Sequence, residues 1–84
     1  MDKGELEKRR KLVGNRIREL RIASGYSSLE NFATDHGFSR KGYWEIENGG
    51  NFKLNTLIRI VEIHRITIVD FFRGIELEYT WQDD

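Results

Sequence analysis

The stretch Phe32-Ala33-Thr34-Asp35-His36-Gly37-Phe38-Ser39-Arg40-Lys41-Gly42-Tyr43-Trp44-Glu45-Ile46-Glu47-Asn48-Gly49 decides the fold. It reads as two short helices joined by a tight turn. Gly37 stands where the chain must adopt a backbone conformation that side-chain-bearing residues resist. Ser39 follows as the N-cap of the second helix, its hydroxyl able to accept from a free backbone N–H. Ala33 is small where two helices must approach closely. Tyr43 and Ile46, three residues apart, point one face of the second helix inward. Ser39, Arg40, Lys41, Trp44 and Glu45 fall on the other face.

Outward from this stretch, the same logic predicts three more helices. Val13, Ile17 and Leu20, with Leu6 a heptad earlier, share one face of a helix from Glu5 to about Ala23. Gly14 weakens its middle by ~1 kcal/mol relative to alanine, and Gly25 ends it in a left-handed conformation. The helix before the turn starts at Ser27 or Ser28 and runs to about His36, burying Leu29, Phe32 and Ala33. Ser27 and Glu30 have capping-box spacing. The helix after it runs from Ser39 to about Asn48, and Asn48-Gly49-Gly50-Asn51 is a turn signal. A fourth helix covers Leu54 to His64, with Leu54, Leu57, Ile58 and Val61 on one face. Thr67 caps a fifth, with Asp70 at its third position and Phe71 and Phe72 as anchors, until Gly74 stops it.

The chain has 84 residues with no cysteine and no proline. That length makes one domain with a modest core, for which dimerisation is a common remedy. Disulfides and zinc–cysteine sites are excluded. His36 and His64 lie far apart without metal-ligand spacing, and His36 reads as a packing residue at a helix end. No apolar run approaches the ~20 residues that span a membrane, and the charged first residues lack a signal-peptide pattern, so a cytoplasmic protein is the expectation.

Fourteen basic and fourteen acidic residues cancel, but they are not mixed evenly. Glu76, Glu78, Asp83 and Asp84 lie in the last eleven positions with no base, leaving residues 1–73 with a net charge of +4. Lys8, Arg9, Arg10 and Lys11, then Arg16, Arg18 and Arg21, form a basic series along the first helix. Such a series is either a solvated face or a stripe for a phosphate partner. The chain thus divides into a basic extension of helix one (1–11), a helical domain (12–73) and an acidic aromatic tail (74–84). Residues 75–82 alternate apolar and polar over most of their length, as a strand does. The tail pairs with its copy in a dimer, packs as a loose extension, or is disordered. Tyr79 and Trp81 are of the type that favours interfaces.

A short polar helix held out on a compact scaffold is the device by which helix-turn-helix proteins enter the DNA major groove. The chain resembles the Cro and phage-repressor type of helix-turn-helix regulator, also called the xenobiotic-response-element family. The matched residues are Gly14 to Arg21, Phe32-Ala33, His36-Gly37-Phe38-Ser39, Tyr43, Ile46-Glu47-Asn48-Gly49, Leu57 to Val61 and Thr67 to Phe72. The resemblance implies an all-α, five-helix lambda-repressor-like DNA-binding domain with a short C-terminal extension. It implies a sequence-specific transcriptional regulator that reads double-stranded DNA with helix three (about 39–48), such proteins usually binding as dimers; for this chain the expected homodimer contact is helix five and the tail.

It also implies roles for individual residues. Arg21 and Glu47 match an arginine and glutamate that pair to lock the third helix, a scaffold role strengthened by bidentate geometry. Ser39, Arg40, Lys41, Trp44 and Glu45 fall at base-reading positions; Arg40 and Lys41 can donate to guanine O6 and N7 or to phosphate. Trp44 either meets DNA or packs on a neighbouring helix. Ser28 would hold a phosphate at the start of helix two, and Asn51 and Lys53 the backbone across the groove. Three departures stand out: Leu29 where many members carry glutamine, Gly42 inside helix three, and Glu45, which repels phosphates unless it accepts from a cytosine amino group. The second expectation is therefore an antitoxin or protein-interaction module on the same fold, with a toxin or other protein as partner. No enzyme is expected, since no nucleophile–base set, carboxylate pair or phosphate-cradling loop has recognisable spacing. No cofactor or metal is expected either.

Overall fold

Short polar side chains set where the helices begin. In the computed structural model, which describes residues 1–75, α1 (Lys3–Ala23) opens on Asp2, whose carboxylate accepts from Glu5 N at 2.8 Å. α2 (Leu29–Asp35) opens on Ser28 and α3 (Arg40–Glu47) on Ser39, each hydroxyl oxygen accepting from the third helical N–H. α5 (Ile68–Arg73) opens on Thr67, which accepts from Asp70 N at 3.0 Å. α4 (Leu54–Ile63) starts at Lys53 without a side-chain cap. The cap of α2 is Ser28, so the Ser27–Glu30 capping box is not formed.

The helix ends share one device. α1, α2, α3 and α4 each close with the residue two past the cap donating back over six residues: Tyr26 N to Arg21 O, Phe38 N to Ala33 O, Gly50 N to Glu45 O, and Ile66 N to Val61 O. The residue between must adopt positive φ. Gly25, Gly37 and Gly49 do so at 97°, 76° and 90°, and Arg65 does so at 54° despite its side chain. This closure reverses the chain within a few residues, which is why five helices fit in so short a sequence.

Both α1 and α2 pack on α3, and α4 packs with α5. The core is Ile17 from α1, Phe32 and Ala33 from α2, Tyr43 and Ile46 from α3, Leu57, Ile60 and Val61 from α4, and Phe71 from α5. Phe32 is its hub: its ring lies 5.0 Å from Tyr43, 4.4 Å from His36, and 5.5 Å from His64, with which it is stacked. Val13, Leu20 and Leu29 are only partly buried against this cluster. The architecture among the described residues is all-helical, as expected, with each helix boundary within two residues of its sequence-based position.

Three faces differ from expectation. On α4 the buried set is Leu57, Ile60 and Val61, while Leu54 and Ile58 are exposed. The helix is turned toward Ile60, and Leu54 lies in its free first turn. Phe72 is exposed and only edges against Phe71, which alone anchors α5. Leu6 is exposed on the first half of α1. The expected tail conformations concern residues 75–82 within the tail 74–84, of which 76–84 lie outside the described residues. No described helix is long and apolar enough to cross a membrane.

Gly14 has a different meaning from the one its propensity suggests. It is buried, and a Cβ there would stand 2.5 Å from Glu47 O and 2.7 Å from Ile46 O. Only glycine lets α1 approach the end of α3 this closely. Gly14→Ala is therefore expected to lower stability by on the order of 1–3 kcal/mol through overpacking, against the ~1 kcal/mol gain that propensity alone would give. Urea melts of the two proteins decide the sign.

His64 supplies a pH dependence. Its Nε2 is buried without a hydrogen-bond partner, and burial, helped by the charges of His36 and Arg16, pushes its pKa below the ordinary 6.5. The unfolded chain therefore binds a proton at mildly acidic pH that the folded chain refuses. Stability is complete above about pH 6.5 and declines below it, by at most ~1.4 kcal/mol per pH unit from this one group. A His64→Leu variant should show a flatter dependence of the urea midpoint between pH 7.5 and 5. An unchanged slope would exclude His64 as its source.

Candidate nucleic-acid interface

Arg21 lies in the last turn of α1 and Glu47 is the last residue of α3. Their side chains are 6% and 3% exposed. Nε donates to Glu47 Oε2 at 2.7 Å and Nη2 to Oε1 at 3.0 Å, the bidentate geometry that suits guanidinium and carboxylate. Nη1 donates to the carbonyls of Tyr26 and Ser27 at 2.8 and 3.0 Å. One guanidinium thus fixes the end of α1, the loop into α2 and the end of α3. The hydrogen bonds to Glu47 outweigh burial and raise the Arg21 pKa, so its charge is permanent. The Tyr43 hydroxyl is buried beside this pair and makes no hydrogen bond of standard geometry. Burial first, and the nearby Glu47 carboxylate second, push its pKa far above 10.0, so the phenol stays neutral.

With its end locked, α3 turns the expected residues outward. Arg40, Lys41, Trp44 and Glu45 are all exposed, Trp44 at 54%. Trp44 is not packed into the core; it lines a surface hollow between α1, α2 and α3 together with Asn15, Arg18, Leu29 and Asn48. Arg40 extends toward α2 and meets Glu30 at 3.5 Å, both side chains largely in solvent. Ser39, Glu45 and Asn51 line a second hollow, between α3 and α4, with Thr56 and Arg59. Lys41 and Lys53 are exposed and reach no partner among the described residues.

Ser39 and Ser28 are committed to capping through their oxygen lone pairs, at 3.0 and 3.1 Å. Their hydroxyl hydrogens can still be donated. Gly42 takes part in the first of these caps through its backbone N–H, which donates to Ser39 Oγ.

The basic series on α1 divides into two groups. Arg10 donates to Gly49 O at 2.9 Å, Arg16 donates to Phe71 O and Asp70 O at 2.9 and 3.2 Å, and Arg21 holds Glu47. Each satisfies a helix-end carbonyl or a carboxylate, so these three are structural. Arg9 pairs with Glu5 at 3.9 Å on α1 itself. Lys8, Lys11 and Arg18 remain exposed, with no ion pair among the described residues. Sequence reasoning also missed Arg59. Its guanidinium lies 4.3 Å from the Phe38 ring centroid and donates to His36 O at 2.8 Å, bracing the turn between α2 and α3. Twenty-three residues separate that donor from its acceptor, and no local pattern announces the pair.

Among the described residues, no three His, Cys, Asp or Glu side chains are grouped to hold a metal ion. No protein-family model, no curated protein and no solved structure gives a significant match to this chain.

The buried pair can be tested as the brace of α3. Glu47→Ala should cost on the order of 3–5 kcal/mol, because it leaves the Arg21 charge buried without its partner. Arg21→Met with Glu47→Leu together should cost much less than the sum of the two single changes. Equilibrium urea unfolding of the four proteins gives the coupling, and additive effects would show that the pair is not a unit.

Proposed function

We propose that the chain is a sequence-specific DNA-binding transcriptional regulator with a lambda-repressor-like fold, reading the major groove with α3 as a homodimer. The observation that carries this reading is the division of α3. Tyr43, Ile46 and Glu47 are buried, and Glu47 is clamped by Arg21, while Arg40 and Lys41 stand exposed in the first turn behind the Ser39 cap. Residues at the start of such a helix are those that reach base edges. Lys53 and Asn51, exposed in the next loop, suit backbone phosphates. A self-association surface is available on α5, where Ile68, Val69 and Phe72 are 42%, 64% and 41% exposed.

A second reading, a protein-interaction module such as an antitoxin, is favoured by Trp44. A large aromatic side chain half in solvent, next to the acidic Glu45, suits a protein partner as well as a groove. The two readings share one scaffold and can both hold.

Selection from random duplexes at two salt concentrations tests the first reading. A palindromic motif is the expected result, because half-site symmetry mirrors a two-fold dimer. Arg40→Ala should then relax one base position by about 1–3 kcal/mol, and Lys53→Ala should weaken all sequences alike. Recovery of no motif, with a protein co-purifying instead, would favour the second reading.

A further inference from the structure

We infer that the hollow between α1, α2 and α3 is a phosphate subsite in which Arg18, a residue of α1, supplies the charge and Trp44 the wall. The inference rests on the reading that α3 faces DNA, and it names a contact that lies outside the helix-turn-helix segment itself.

The charge of the hollow comes first. Its lining includes three ionic side chains, Arg18, Arg21 and Glu47. Arg21 and Glu47 neutralise one another through two hydrogen bonds in the floor. Arg18 is left as an uncompensated cation at the rim, with no hydrogen bond or ion pair among the described residues. Asn15 and Asn48 border the same space. The Asn15 side chain makes no hydrogen bond among the described residues, while Asn48 donates its amide to Trp44 O at 2.8 Å. The Asn15 amide is thus a neutral donor beside the cation, with Trp44 lining the same space, and the one acid of the lining, Glu47, is already neutralised by Arg21.

Placement comes second. The hollow adjoins Leu29, the first residue of α2, which has no polar group to offer a strand passing that corner. Trp44 is the element shared with the outward face of α3, so a strand that meets Arg40 and Lys41 has the hollow one helical turn away. The backbone that carries Arg18 is fixed there: Arg18 sits in the second half of α1, one turn before Arg21, on a helix held to α3 by the Gly14 contact. Of the other arginines in the basic series, Arg9 pairs with Glu5 near the start of α1, while Arg10, Arg16 and Arg21 turn to Gly49 O, Phe71 O and Glu47 and cannot serve.

Arg18 has no structural partner, so Arg18→Gln should fold with an unchanged melting temperature. The test is fluorescence anisotropy of labelled duplexes, one of the selected sequence and one random, titrated at several potassium chloride concentrations with the wild-type chain and with Arg18→Gln. Losing one phosphate contact should reduce the log affinity–log salt slope by about 0.9 and weaken both duplexes by a similar factor. A Trp81→Phe background leaves Trp44 as the emitting tryptophan, and its fluorescence should change on binding. If the wild-type chain binds duplex but Arg18→Gln keeps the full slope, or Trp44 emission does not respond, the subsite is wrong while the DNA reading stands. If the wild-type chain binds no duplex at all, both fall together.

Discussion

The geometry of this domain depends on one guanidinium. Arg21 makes four hydrogen bonds, two to Glu47 and two to the carbonyls of Tyr26 and Ser27. These contacts tie the end of α1 to two other pieces of chain, the loop into α2 and the end of α3, that the hydrophobic core alone would orient loosely. Apolar packing is non-directional; it brings α1, α2 and α3 together but does not fix where α3 points. A planar fork that meets a carboxylate edge-on does fix it. The cost of burying two charges is offset by satisfying every hydrogen bond they offer in this direction, and what results is angular precision more than raw stability.

That bridge forms only because the backbones come close enough. Gly14 lies two turns before Arg21, and the absence of its Cβ lets α1 rest against the carbonyls of Ile46 and Glu47. Gly49 repeats the arrangement beyond the end of α3: a Cβ there would stand 2.5 Å from Lys11 Cγ, and Gly49 O accepts from Arg10. The first half of α1 is thus tied to the loop after α3, and its second half to the end of α3. A helix that looks like an extension from its charge pattern is part of the scaffold. α1 runs unbroken from Lys3 to Ala23.

Much of this was legible in the sequence because the signals are local. Caps at Ser28, Ser39 and Thr67, and left-handed ends at Gly25, Gly37 and Gly49, are decided by residues within one turn of each other. The Arg21–Glu47 pair is a long-range contact, and it was reached through a resemblance, not through spacing. What escaped were contacts between distant segments. Arg59 on the α2–α3 turn, Arg16 on the carbonyls of α5, and the burial of Ile60 in place of Leu54 and Ile58 depend on how helices turn relative to one another. Periodicity names a face with a tolerance of about one residue in either direction; on α4 that tolerance exchanges Ile60 for Ile58. Gly14 escaped for the same reason: propensity weighs a glycine by its effect on its own helix, while here the space beside it is occupied by the backbone of another helix.

The same argument changes how the charge of the chain is read. A run of bases along a helix counts toward a phosphate partner only where the side chains are free, and arginine is the residue most often recruited to carbonyls and carboxylates. Arg10, Arg16, Arg21 and Arg59 are all recruited in this way. The cations left facing solvent around α3 are Arg40, Lys41, Lys53 and Arg18, with Lys8 and Lys11 further along α1. Arg40 shares its charge with Glu30, and Glu45 lines the hollow between α3 and α4. The field over the proposed reading face is therefore weakly positive and discontinuous. On a nearly neutral face, non-specific attraction to a polyanion is small. Discrimination would then rest on where the few free donors stand, and that placement follows from the angle of α3 that Arg21 holds.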